Sequence, residues 1–161
     1  MQLRGWYTAI AAAIAGIVGT VVFDLMGLVA GQGWSVPESL AGALDAGIAA
    51  GAILHYAIGA LLAIIFAGLI PLFFGPLWLR AMQFITVQVV FGVWLFMMPL
   101  MGAGPLGLEM GAMMPIMSLV SHWVYAVVMA FTYQAIVKRW DAAAVEAGAG
   151  RPGVGESVGS T

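Results

Sequence analysis

Charged side chains cut this chain into long apolar runs. Between Asp45 and Lys138 only Arg80 and Glu109 are charged, and these four residues stand 35, 29 and 29 positions apart. Each gap fits one membrane span of roughly 20 residues and a short turn. A further uncharged run from Gly5 to Phe23 extends past Asp24 to about Gly31. Helices are predicted at about 6–30, 46–70, 81–103 and 112–137. The runs lack the period-2 alternation of a transmembrane barrel strand. The small-residue run Ala11-Ala12-Ala13 precedes the apolar stretch from Ile17 to Phe23. A cleaved signal peptide has the opposite order, so the first helix is expected to be retained.

The connections carry their own signals. Ser35-Val36-Pro37-Glu38 reads as a capping box with proline in the first turn, predicting a short interfacial helix over about 36–44 or an early start to the second span. Pro71 and Pro76 punctuate the second connection, and Pro99 and Pro105 end the third span. The segment 141–161 is Ala/Gly-rich without an apolar period and is expected to be a disordered cytoplasmic tail, leaving 1–140 as one transmembrane domain. The fold class is therefore all-α, an integral membrane four-helix bundle. It also reads as a duplicated helical hairpin. Leu54-His55-Tyr56 matches Ser121-His122-Trp123, and Gly19/Gly92, Phe23/Phe96, Ala30/Ala103 and Gly31/Gly104 correspond.

Composition agrees: 63% of the 161 residues are hydrophobic, 7% are charged, and mean hydropathy is +1.07. A soluble domain carries about 25% charged residues. With no cysteine, disulfides and thiolate metal sites are excluded. A net charge of −2 offers no basic patch for nucleic acid. No phosphate loop, nucleophile elbow or zinc motif is present, and no enzyme activity is expected. Arg4, Arg80, Lys138, Arg139 and Arg151 all fall on one face of the four-span topology, with Glu38, Asp45 and Glu109 on the other. The positive-inside rule makes the first face cytoplasmic and puts both termini there. Trp6, Trp78 and Trp140 beside those basic residues form an expected interfacial belt, with Trp34 a candidate for the opposite belt.

Three stripes of small residues at four-residue steps mark expected helix contacts. They are Ala12, Gly16, Thr20, Asp24; then Gly47, Gly51, His55, Gly59, Ala63, Ala67; then Ser118, His122, Ala126, Ala130, Gln134. Each carries a rare ionisable residue, and such a residue at the bilayer centre costs ~2.5–3.5 kcal/mol on insertion scales. Asp24, His55 and His122 therefore each need a partner or a task. One reading is a structural Asp24–His55 hydrogen bond. Another is a haem b site, with His55 and His122 as axial ligands on diagonal helices and Asp24 fixing one imidazole. A third is a proton or ion path. Seven of the eleven methionines crowd the same half, as Met97, Met98, Met101, Met110, Met113, Met114 and Met117. They suit adaptable packing, and with two histidines they also suit Cu(I). No other metal site is expected. Gln83, Thr86 and Gln88 read as inter-helix hydrogen-bonding residues.

The two His-aromatic helix starts and the run Met98-Pro99-Leu100-Met101-Gly102-Ala103-Gly104 resemble small bacterial inner-membrane proteins of the YagU-like kind. That resemblance covers the four spans, excludes the tail and implies a bacterial inner membrane as the location. It implies a membrane topology and no activity, so it assigns no catalytic residue. The leading functional expectation is a non-catalytic integral membrane subunit or accessory protein, embedded in lipid and packed against other membrane subunits. The alternative is a bis-histidine haem b electron carrier. A weaker one is an oligomeric ion or proton pathway.

Overall fold

The computed structural model describes residues 2–149. They form α1 (Gln2–Val29), α2 (Ser35–Ala43), α3 (Ile48–Leu69), α4 (Leu77–Gln88) and α5 (Met114–Ala149). A 3-10 turn, Ile70–Leu72, ends α3. A π-helical segment, Val89–Met97, and a last α-turn, Met98–Leu100, prolong α4, and a 3-10 stretch, Pro105–Met110, leads into α5. No strand occurs among the described residues. Gly5–Val29, Ile48–Leu72, Leu77–Leu100 and Met114–Glu146 are long and apolar enough to cross a membrane.

The small-residue stripes set the helix order. α1 packs on α3 and α5, α4 packs on α5, and α2 lies along α3. The two histidine-bearing helices, α3 and α5, thus stand diagonally across the bundle. On the stripes, Ala12, Thr20, Ala63, Ala126 and Ala130 are buried. A Cβ on Gly16 would run into the Gly59 carbonyl, and one on Gly59 would collide with Thr20 Oγ1. Glycine there lets two backbones approach as membrane helices do without a hydrophobic drive. Gln134, the last residue of the third stripe, is exposed instead.

Packing is uneven along the bundle axis. Toward the Arg80 end, Phe66, Ile85, Val89 and Met129 are almost wholly buried with Ala12, Ala15, Ala81 and Ala130. There Phe66 of α3 meets Phe84 of α4, ring centroids 5.7 Å apart. Arg80 braces the α3–α4 connection through Nε to the Gly75 carbonyl (2.7 Å) and a guanidinium nitrogen to the Ile70 carbonyl (3.3 Å). Gln83 Nε2 donates to the Phe74 carbonyl of that connection. Toward the α2 end the two helices are not closely packed, and a cavity separates them.

Three details depart from expectation. Helix α5 does not stop near residue 137. It runs on to Ala149, through part of the segment expected to be disordered from 141. Asp141-Ala142-Ala143-Ala144-Val145-Glu146 has alanine's high intrinsic helix propensity and needs no packing partner to continue the turn. The rest of the expected tail, 150–161, lies outside the described residues. The short helix expected over 36–44 forms as α2, but Ser35 is not its cap. Trp34 holds the N-cap position and no side-chain cap bond forms. The third span contains nine π-helical residues. Met98 N–H reaches the Val93 carbonyl, five residues back, and Pro99 has no N–H with which to restore the four-residue step.

Candidate functional site: a polar cluster beside a methionine-lined cavity

Asp24 lies 8% exposed in the last third of α1. Its carboxylate accepts three hydrogen bonds from three segments. Trp34 Nε1 donates to Oδ2 at 2.9 Å from the α1–α2 connection. His55 Nε2 donates to Oδ1 at 3.0 Å, and Tyr56 Oη to Oδ2 at 3.0 Å, both from α3. Charge-assisted bonds of this kind are about twice as strong as neutral ones. The expected Asp24–His55 contact is present. Trp34 and Tyr56 were not legible as its companions: Trp34 reads as a belt residue because the α2 reversal that returns it over Asp24 is a tertiary event.

The second histidine is held differently. His122 Nδ1 lies 2.7 Å from the Ser118 carbonyl one turn back. A carbonyl only accepts, so Nδ1 carries the proton, and the lone pair of the neutral ring is on Nε2. Among the described residues nothing bonds that nitrogen. Phe23 of α1 touches both imidazoles, with centroid separations of 5.9 Å to His55 and 5.0 Å to His122. A porphyrin between the two rings would have to displace Phe23. It would also have to take His55 through Nδ1 or break the bond to Asp24.

Both histidines line a cavity of about 230 Å³. Its walls come from α1 (Thr20, Phe23), α3 (His55 to Leu62), the end of α4 with its π segment (Gln88 to Met98) and α5 (Met114 to Tyr125). Residues of α2 and of the 101–110 connection complete it. Six methionines contribute: Met97, Met98, Met101, Met110, Met114 and Met117. The remaining outer methionine, Met113, is 59% exposed and not in the wall. Gly107 allows the 101–113 connection to fold in, since a Cβ there would meet Met98 Sδ and Met114 Cγ. Its φ of 77° also favours glycine.

The hydroxyls of α1 and α5 in the wall have spent their protons. Thr20 donates to the Gly16 carbonyl, Ser118 to Pro115, Ser121 to Met117, and Tyr125 across the bundle to Gly59. Trp94 Nε1 donates in turn to Ser118 Oγ at 2.8 Å. Thr86 acts between helices as expected, accepting from Trp123 Nε1 at 2.9 Å. Gln88 does not: its Oε1 is the buried side-chain polar atom without a partner among the described residues. No group of three or more His, Cys, Asp and Glu side chains able to hold a metal ion occurs among them. Thioethers fall outside that set. Comparison with family models, curated proteins and solved structures finds no match.

Proposed function

We propose that this protein is a non-catalytic, four-span accessory protein of a bacterial inner membrane, and that its task is to hold a small membrane-soluble ligand in the cavity between α3 and α4. The observation that carries this is His122 Nε2, a lone pair with no partner among the described residues, in the wall of the methionine-lined cavity. Buried polar atoms are paired in the great majority of cases, and an exception calls for a missing partner. Beneath the same wall, Gln88 Oε1 is buried and also unpartnered among the described residues. A subunit that only packs against a larger complex has no use for either. The π segment supports the same reading, because π turns recur at functional sites and this one supplies Val93 and Met97 to the wall. The basic face, with Arg80 and Lys138, is cytoplasmic in this reading, and the cavity lies in the outer half of the membrane.

The hairpin duplication gives the two histidines different histories. The correspondence of Phe23 with Phe96 sets Met97 opposite Asp24. The first repeat ties its histidine to a carboxylate, and the second leaves its histidine facing the cavity.

Native mass spectrometry of mildly solubilised protein, beside an absorption spectrum, tests the proposal. The parent is expected to carry a small molecule in stoichiometric amount, to lose it in Met97→Trp, and to show no low-spin haem band. A parent that retains only detergent and co-purifies with stoichiometric membrane subunits would be a packing subunit. A band lost in both His55→Ala and His122→Ala would make it a haem b carrier.

A further inference from the structure

We infer that the cavity contains a Cu(I) site whose ligands are His122 Nε2 and methionine thioethers, Met97 first among them. The inference goes beyond the small-molecule reading: a molecule held in the rest of the cavity would lie against the ion.

The two histidines face different kinds of partner. α1 packs on α3 as α4 packs on α5, and the hairpin correspondence sets Met97 where the first repeat has Asp24. In the first repeat an imidazole proton meets a carboxylate oxygen, His55 Nε2 to Asp24 Oδ1 at 3.0 Å, and both are satisfied. In the second repeat the His122 proton goes to the Ser118 carbonyl of its own helix, 2.7 Å from Nδ1. Nε2 lies across the ring from that bond. Its lone pair is therefore turned away from the α5 backbone, on the side of the cavity that His122 and Met97 both line. Met97 has no proton to give it. A thioether and an unprotonated imidazole nitrogen are both lone-pair donors, and a cation between them satisfies both.

The chemistry of the wall chooses the ion. Thioether sulfur with imidazole nitrogen is a soft, uncharged donor set, which suits Cu(I). Among the described residues no Asp, Glu or Cys side chain lines the cavity, and both oxygens of the nearby Asp24 are engaged by Trp34, His55 and Tyr56. Magnesium and calcium would lack their oxygen ligands there, and zinc its usual set of nitrogen, thiolate and carboxylate ligands. Further thioethers stand close. A Cβ on Gly107 would lie 2.5 Å from Met98 Sδ and 2.7 Å from Met114 Cγ, so methionines from the end of the third span and from α5 meet there. Either can complete the coordination of the ion. A buried cation also needs a counter-charge. Asp24 supplies it from beyond Phe23, whose ring centroid is 5.0 Å from that of His122 and 5.9 Å from that of His55. Only binding is inferred. No copper oxidation and no transport step is assigned to the protein.

The test uses the full chain in lipid nanodiscs. Cu(I), kept reduced with ascorbate, is titrated against bicinchoninate, whose coloured complex fades as the protein takes the ion. The parent should take up one equivalent of Cu(I) and no Zn(II), and X-ray absorption should show sulfur and nitrogen scatterers together. Met97→Leu and His122→Phe should each weaken binding about tenfold or more, the scale of a disturbed coordination shell. Met113→Leu, at the exposed methionine outside the wall, should leave it unchanged. Thermal unfolding checks that each variant is folded. A folded parent that takes no Cu(I) would overturn the copper site. So would an affinity that falls with Met113→Leu and not with Met97→Leu or His122→Phe. If a small molecule still co-purifies with that parent and is lost in Met97→Trp, the cavity reading stands without the copper. If nothing co-purifies either, both fall.

Discussion

Asp24 gathers an indole, an imidazole and a phenol from the α1–α2 connection and α3 onto one carboxylate. Removing the acceptor strands three donors at once, and a buried donor without a partner costs about 1–3 kcal/mol. Asp24→Leu should therefore lower stability by at least about 2 kcal/mol, read as a fall in thermal unfolding temperature in detergent. Asp24→Asn keeps an acceptor oxygen and should lose less than half as much. If Asp24→Leu unfolds with the parent, the cluster does not hold the bundle together. At this scale the ionisable residues were legible, because an aspartate and two histidines on small-residue stripes are conspicuous in an apolar chain. Their roles were not legible. His55 and His122 occupy matching positions in sequence, yet only the fold distinguishes the one facing a carboxylate from the one whose own helix takes its Nδ1 proton.

Among the elements, α2 is the piece whose attachment can be tested alone. It rests on α3 at Gly51, where a Cβ would strike the Pro37 carbonyl and the Ala41 backbone. Gly51→Val should push α2 away at a cost of about 1–3 kcal/mol, typical of overpacking. Amides of 38–44 should then lose hydrogen-exchange protection while α4 and α5 keep theirs. Unchanged protection over 38–44 would show that α2 is held by its connections alone. The Pro37 and Glu38 signals located this helix in the sequence. The π segment was illegible, since Val89–Met97 reads as ordinary apolar helix. Its register is a matter of which carbonyl each N–H finds, and hydrophobic pattern carries no trace of that choice.

For the whole molecule, the segregation of Lys and Arg predicts an orientation. Single cysteines at positions 38, 45 and 109 should react with an impermeant reagent applied to intact cells, and those at 4, 80 and 138 should not. Labelling at 80 without labelling at 109 would invert the topology. The exposed apolar residues fit four helices able to cross a membrane. Val29, Ile53, Leu61, Phe91 and Phe131 face outward from the long helices, and Trp6, Trp78 and Trp140 are 48%, 41% and 37% exposed.

The sequence by itself determined that there are four apolar helices, roughly where each begins, and which faces carry small residues. Those properties follow from local composition and helical period, which each segment possesses before it meets another. Tertiary structure alone decided that α3 and α4 touch at Phe66–Phe84 and part toward α2, that six methionines become a wall, and that Trp34 returns to Asp24. Each of these depends on how separate segments meet. Methionine, glycine and leucine read alike as apolar until packing decides which of them borders a cavity.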